Sequence, residues 1–133
     1  MMMRFTTPPS IEHLEQMARQ AMATIPPALL SKTVGVVIQV HDFPDEETEE
    51  DMGLESPFDL LGLYRGVALT AKSFSDVRAE PDFVYLYRRP ILDYWCDTGE
   101  DLEDIVRNVL IHEIGHHFGL SDEDMERLEN EAD

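Results

Sequence analysis

His112-Glu113-Ile114-Gly115-His116 sets two imidazoles four positions apart, with a carboxylate beside the first. An α-helix turns about 100° per residue, so positions four apart sit nearly above one another. His112 and His116 therefore share one face, and their ring nitrogens can meet a single ion. Glu113 lies one step around, close enough to hold a metal-bound water and remove its proton. Two neutral imidazoles and a neighbouring carboxylate are what zinc-assisted hydrolysis needs.

Two histidines do not complete such a centre, because catalytic zinc usually takes three protein ligands and keeps one open position. Gly119 can take a positive φ and turn the chain sharply after the helix. Asp122 follows His116 by six residues, a length that can return its carboxylate to the ion. Asp122 can equally be the first-turn acid of a following helix, where acids are favoured in any case. Glu123 and Asp124 are alternative carboxylates within reach. An aspartate ligand partly neutralises the dication and leaves its water less acidic, so an alkaline-shifted activity optimum is expected. A profile peaking well below neutral would contradict this. His117 is one step around from His116 and is expected to pack or to support the ligands rather than bind the same ion. His13 and His41 have no partners by spacing and are expected to be structural.

The elements that must position these groups can be read from periodicity. Ser10 is a good N-cap, and Ile11, Leu14, Ala18, Ala21 and Met22 recur at helical spacing up to Pro26-Pro27. Thr33–Val40 is β-branched and apolar and predicts a buried strand. The stretch from Asp42 to Asp51 holds seven acids and a proline in ten residues and is expected to be a mobile loop. Gly62 is taken as a turn. Leu63–Thr70 predicts a second strand, in which Gly66 marks a bulge or a close backbone approach. Phe83–Tyr87 predicts a third strand, broken by Pro90, with Ile91–Cys96 as an apolar connector. A long helix then starts from Thr98 or Asp101 as cap. Its apolar face is Leu102, Ile105, Val106, Val109 and Leu110, and it ends at Gly119. Ser121 followed by Asp124 resembles a capping box that opens a last short helix through about Glu129. The expectation is an α+β architecture with a small sheet packed on the long helix, as a single domain over 1–133 with a flexible tail at 1–9 and an acidic loop at 42–57.

Ten basic residues stand against 28 acidic ones in 133, for a net charge of −18. Such a surface repels nucleic acid and anionic lipid and attracts cations and basic partners. Cys96 is the one cysteine, so no intramolecular disulfide can form. The first ten residues carry one basic residue and no apolar core of a secretory signal, and Val34–Val40, the longest apolar stretch, is far too short to span a bilayer. A cytoplasmic location is expected.

The pattern His112-Glu113-x-x-His116-x-x-Gly119-x-x-Asp122 resembles the aspartate version of the extended zincin motif. More narrowly, the chain resembles the bacterial minimal zincin-like metallopeptidases, which are small acidic proteins. The resemblance runs through Asp59-Leu60-Leu61-Gly62-Leu63-Tyr64-Arg65-Gly66 with Leu69-Thr70, through Tyr85-Leu86-Tyr87-Arg88-Arg89-Pro90, and through Ile114 to Asp122, covering about residues 10–130. It implies a minimal zincin-like α+β core: a small mixed sheet on the long helix, an N-terminal helix and a short C-terminal one. It also implies Zn2+ as cofactor, His112, His116 and Asp122 as metal ligands, and Glu113 as general base. Larger metzincins carry a methionine turn well downstream. Only eleven residues come after Asp122 here, and Met125 is too close to play that part. The usual substrate-pocket wall after the third ligand is therefore expected to be missing.

Zinc-dependent amide hydrolysis is the leading expectation, with a peptide or protein substrate docking along Leu63–Thr70 as an added strand. Tyr64, Tyr87, Tyr94 and Arg88 are candidate oxyanion helpers. A non-catalytic metal-binding or interaction module on the same core is the alternative. A metal-dependent nuclease is disfavoured by the charge, with Arg88-Arg89 the only adjacent basic pair.

Overall fold

The computed structural model describes residues 7–25, 35–66, 82–118 and 123, with the backbone alone at 117 and 118. Helix α1 spans Ile11–Met22. Ser10 caps it: its hydroxyl accepts from the His13 backbone N–H at 3.1 Å, and the His13 ring nitrogen Nδ1 accepts from the Ser10 N–H at 3.2 Å. His13 is thus structural, as expected, and serves as the returning half of a capping box. Within the expected tail, Thr7 and Pro8 are exposed, whereas Pro9 is held against the fold. Pro9 is buried, and its carbonyl accepts from Arg88 Nε at 2.6 Å.

Strand β1 covers Val36–His41, within and just past the expected range; Thr33 and Val34 lie outside the described residues. The acidic stretch corrects the expectation of a loop, because Glu46–Met52 forms a helix, α2. The charge run carries its own start signal. Asp45 Oδ1 accepts from the Thr48 N–H at 2.8 Å, and this hydrogen bonding holds the Asp45 carboxyl below the usual carboxylate range. Glu46, Glu47 and Glu49 lie in the first turn, where the exposed N–H groups favour negative charge. Gly53, at φ 63°, supplies the left-handed residue that ends the helix.

Strand β2 is Gly62–Arg65 and β3 is Asp82–Tyr87. The sheet order is β1-β3-β2, with β1 parallel to β3 and β2 antiparallel to it. This is the expected small mixed sheet, and β2 lies at one edge. Residues 67–70 of the expected second strand lie outside the described residues. Gly66 closes β2 without a bulge, since the register with β3 runs unbroken from Gly62–Leu86 to Arg65–Phe83. Its φ is 155°, and a Cβ there would overlap the Asp82 carboxylate, so the close approach is the reading that holds.

Ile91–Cys96 corrects the expectation of a connector. β3 passes directly into helix α3, Arg88–Thr98. Pro90 ends the strand, yet it sits in the first helical turn, where no N–H has to be donated. Gly99, at φ 69°, turns the chain after α3. Helix α4 then runs Leu102–Phe118 from an Asp101 cap, whose Oδ1 accepts from the N–H groups of Glu103 at 2.9 Å and Asp104 at 3.3 Å. The expected last helix from Ser121 lies outside the described residues.

Val84 and Leu86 point from the central strand into the core, fully buried, against Leu14 and Ala18 of α1 and Val106, Leu110 and Ile114 of α4. Burying each such side chain contributes about 1.5–3 kcal/mol where it is large and aliphatic. The other sheet face carries Phe83, Tyr85 and Tyr87 as a stacked ladder, with ring centroids 5.7 and 6.5 Å apart. Arg65 lies over Tyr85 and donates to Thr48 Oγ1 at 3.1 Å, which joins α2 to the edge strand. Among the described residues, no helix is long and apolar enough to cross a membrane.

Candidate functional site

Helix α4 presents an apolar face to the core, carrying Ile105, Val106, Leu110 and Ile114. The same periodicity sets His112, Glu113 and His116 at the margin of that face. His112 is half-buried, Glu113 is 7% exposed and His116 is exposed. The two imidazoles lie with ring centroids 4.7 Å apart at 67°. His112, Glu113 and His116 each offer a ligand atom within 4.8 Å of the others, and they are the one such group among the described residues. The shared face expected from the four-residue spacing is thus present.

Two hydrogen bonds fix Glu113. Its Oε1 accepts from the Tyr64 backbone N–H at 3.0 Å and pairs with His116 Nδ1 at 3.1 Å. Where Nδ1 is the donor in that pair, the His116 Nε2 lone pair is left for a metal. Two imidazoles on one helix face, with a carboxylate beside them, suit a borderline-soft ion such as zinc. Asp122, expected as the third ligand, lies outside the described residues, as does Asp124. Glu123 is described; it is exposed and does not belong to the cluster. Of His117 only the backbone is described.

Gly62 lets helix and edge strand meet. A Cβ there would come within 2.6 Å of Val109 Cγ1, 3.0 Å of the Tyr85 carbonyl and 3.4 Å of Glu113 Cγ. Sequence reasoning took Gly62 as a turn. A glycine inside the apolar run Leu61-Gly62-Leu63 was the available signal of a close backbone approach. The Tyr64 N–H was missed altogether, because a backbone donor leaves no trace in residue type.

The candidate oxyanion helpers separate. Tyr94 lines a cleft of about 350 Å³ beside His112 and Glu113. Tyr64 offers Glu113 its backbone N–H. Tyr87 is 3% exposed on the far sheet face, near Asp45, and burial together with that carboxylate pushes its hydroxyl up to about 12. Arg88 binds the Pro9 carbonyl and, at 2.9 Å, Asp42 Oδ1. Neither of the last two lines the cleft beside Glu113. His41, expected to be structural, pairs with Gln39 at 3.0 Å and sits against Tyr85.

Comparison with known proteins bears on this geometry. Residues 33–132 match the family model described as zincin-like metallopeptidase. A search among curated proteins finds no match to the chain.

Proposed function

The chain belongs to the zincin-like metallopeptidase family, and from that premise we propose that it is a zinc-dependent peptidase in which Glu113 is the general base. The observation that supports this most is the placement of the Glu113 carboxylate, buried between the two imidazoles and the edge strand. His112 and His116 would hold the metal, with Asp122 as the proposed third ligand. Zinc bound there supplies Lewis acidity, which activates a carbonyl and a water toward attack. Glu113 takes a proton from the attacking water at a carboxylate oxygen. It then returns that proton to the leaving amine, so a C–O bond forms, the C–N bond breaks, and the carboxylate is restored. The low exposure of Glu113 keeps bulk water from competing for that proton.

The substrate is proposed to lie along β2. This strand is paired by β3 on one side, and the Tyr64 N–H points away from β3 to Glu113. In an antiparallel pair the N–H and C=O of one residue face the same side. The outer edge of β2 at Tyr64 is therefore the register at which an added peptide strand would cross above the two histidines. A peptide carbonyl placed there would compete for the Tyr64 N–H and free the Glu113 oxygen for the water.

The test is exposure of zinc-loaded protein to a diverse peptide library, with Asp122→Ala alongside. Cleavage that stops when a chelator removes the metal supports the reading, as does loss of zinc in Asp122→Ala. Peptide binding without cleavage would point instead to a non-catalytic module on the same core.

A further inference from the structure

The cleft beside His112 and Glu113 has a lining that selects a kind of side chain. Its volume is about 350 Å³. Leu61 of the segment before β2 and Ile105 and Val109 of α4 give it apolar walls. Tyr94 of α3 and Glu100 of the turn between α3 and α4 close it with polar groups. The turn is set by Gly99 in the left-handed region, which brings Glu100 back toward α3. The Glu100 carboxylate beside the Tyr94 hydroxyl makes the phenol hold its proton more tightly. Among the described residues, the charged groups of the lining, Glu100 and Glu113, are both acids, and no lysine or arginine contributes to it. The surrounding chain carries a net charge of −18.

We propose that this cleft is a specificity pocket for a lysine or arginine side chain flanking the scissile bond, with Glu100 as the residue that selects it. A long basic side chain is apolar along its stem and charged at its tip, so it can lie on Leu61, Ile105 and Val109 while its head reaches a carboxylate at the mouth. A leucine would fill the walls and leave the carboxylate unused. A glutamate would meet like charge from both acids. The proposal rests on the peptidase reading of the same site, and it narrows the substrates to basic peptides.

A positional peptide library separates the two claims. With zinc-loaded protein and cleavage sites read by mass spectrometry, lysine and arginine are expected at one of the positions flanking the cut bond. The ratio of kcat/KM for a lysine peptide over its leucine counterpart should fall roughly fivefold in Glu100→Gln, in line with a partly exposed ion pair. Glu100→Lys should reverse the preference toward acidic residues. In parallel, binding of the same labelled peptides to Glu113→Gln is measured by fluorescence anisotropy, with and without the Glu100 substitution. Cleavage whose lysine preference is the same in wild type and Glu100→Gln overturns the pocket while leaving the peptidase intact. Binding that favours lysine through Glu100, without cleavage by wild type, supports the pocket and sinks the peptidase. A library of which no peptide is cut, with no binding that favours lysine, overturns both.

Discussion

The backbone N–H of Tyr64 donates to Glu113 Oε1 at 3.0 Å, across 49 residues of sequence. This bond joins the edge strand to the helix that carries both histidines, and it fixes where the Glu113 carboxylate stands. It depends on a close approach that Gly62 permits, two residues before Tyr64 on the same strand.

Gly62→Ala should disturb that approach directly. The new methyl would meet Val109 Cγ1 at 2.6 Å and the Tyr85 carbonyl at 3.0 Å. Overpacking of this kind costs about 1–3 kcal/mol and moves the backbone. Urea denaturation should show that loss, and peptide hydrolysis should fall with it because Glu113 shifts. Adding Val109→Ala removes the nearest obstacle, so the double variant should be less destabilised than the sum of the two singles. Strict additivity would mean that the contact is not what Gly62 relieves.

Arg88→Ala should act on stability and leave the chemistry alone. Its Nε binds the Pro9 carbonyl at 2.6 Å and its guanidinium pairs with Asp42 at 2.9 Å, which ties the N-terminal segment to the start of α3. The Asp42 side chain is 54% exposed, so the pair itself contributes little. Loss of the bond to Pro9 should cost about 1–2 kcal/mol, read as a lower urea midpoint. An unchanged midpoint together with a large fall in kcat would restore Arg88 as an oxyanion helper.

Tyr87 gives the fold an alkaline limit. Burial, reinforced by the nearby Asp45 carboxylate, raises its hydroxyl from 10.0 to about 12. The folded state therefore holds that proton more tightly than the unfolded state. Its contribution is fully present below pH 10 and is lost as pH rises through about 12. With allowance for solvent screening the loss is on the order of 1–2 kcal/mol. Unfolding midpoints measured from pH 9 to 12 should fall in wild type and fall less in Tyr87→Phe. Equal slopes would assign the alkaline loss to other groups.

Much of the fold was legible in the residues because periodicity is a local signal. The four-residue spacing of His112 and His116 put both rings on one face of α4, a β-branched run marked β1, and the alternating bulk of Phe83–Tyr87 marked β3. Two helices were hidden by single dominant features. The acids of α2 read as a solvated charge run, although Asp45 and Gly53 were in place to cap it. Pro90 read as a break, although a first-turn proline costs a helix nothing. The features that complete the site are of another kind. The Tyr64 N–H and the clearance at Gly62 both depend on segments far apart in sequence and on backbone atoms, which residue types do not report.

The central claim is that Glu113 moves the proton while the histidines hold the metal. It is tested most directly by Glu113→Gln, measured beside wild type for zinc content by mass spectrometry and for peptide hydrolysis on the same zinc-loaded samples. Glutamine keeps the side-chain length and still accepts from the Tyr64 N–H through its carbonyl oxygen, but it cannot take a proton. Equal zinc is predicted in both proteins, with turnover reduced at least about 100-fold in the variant. Turnover undiminished in Glu113→Gln at equal zinc content would contradict the claim.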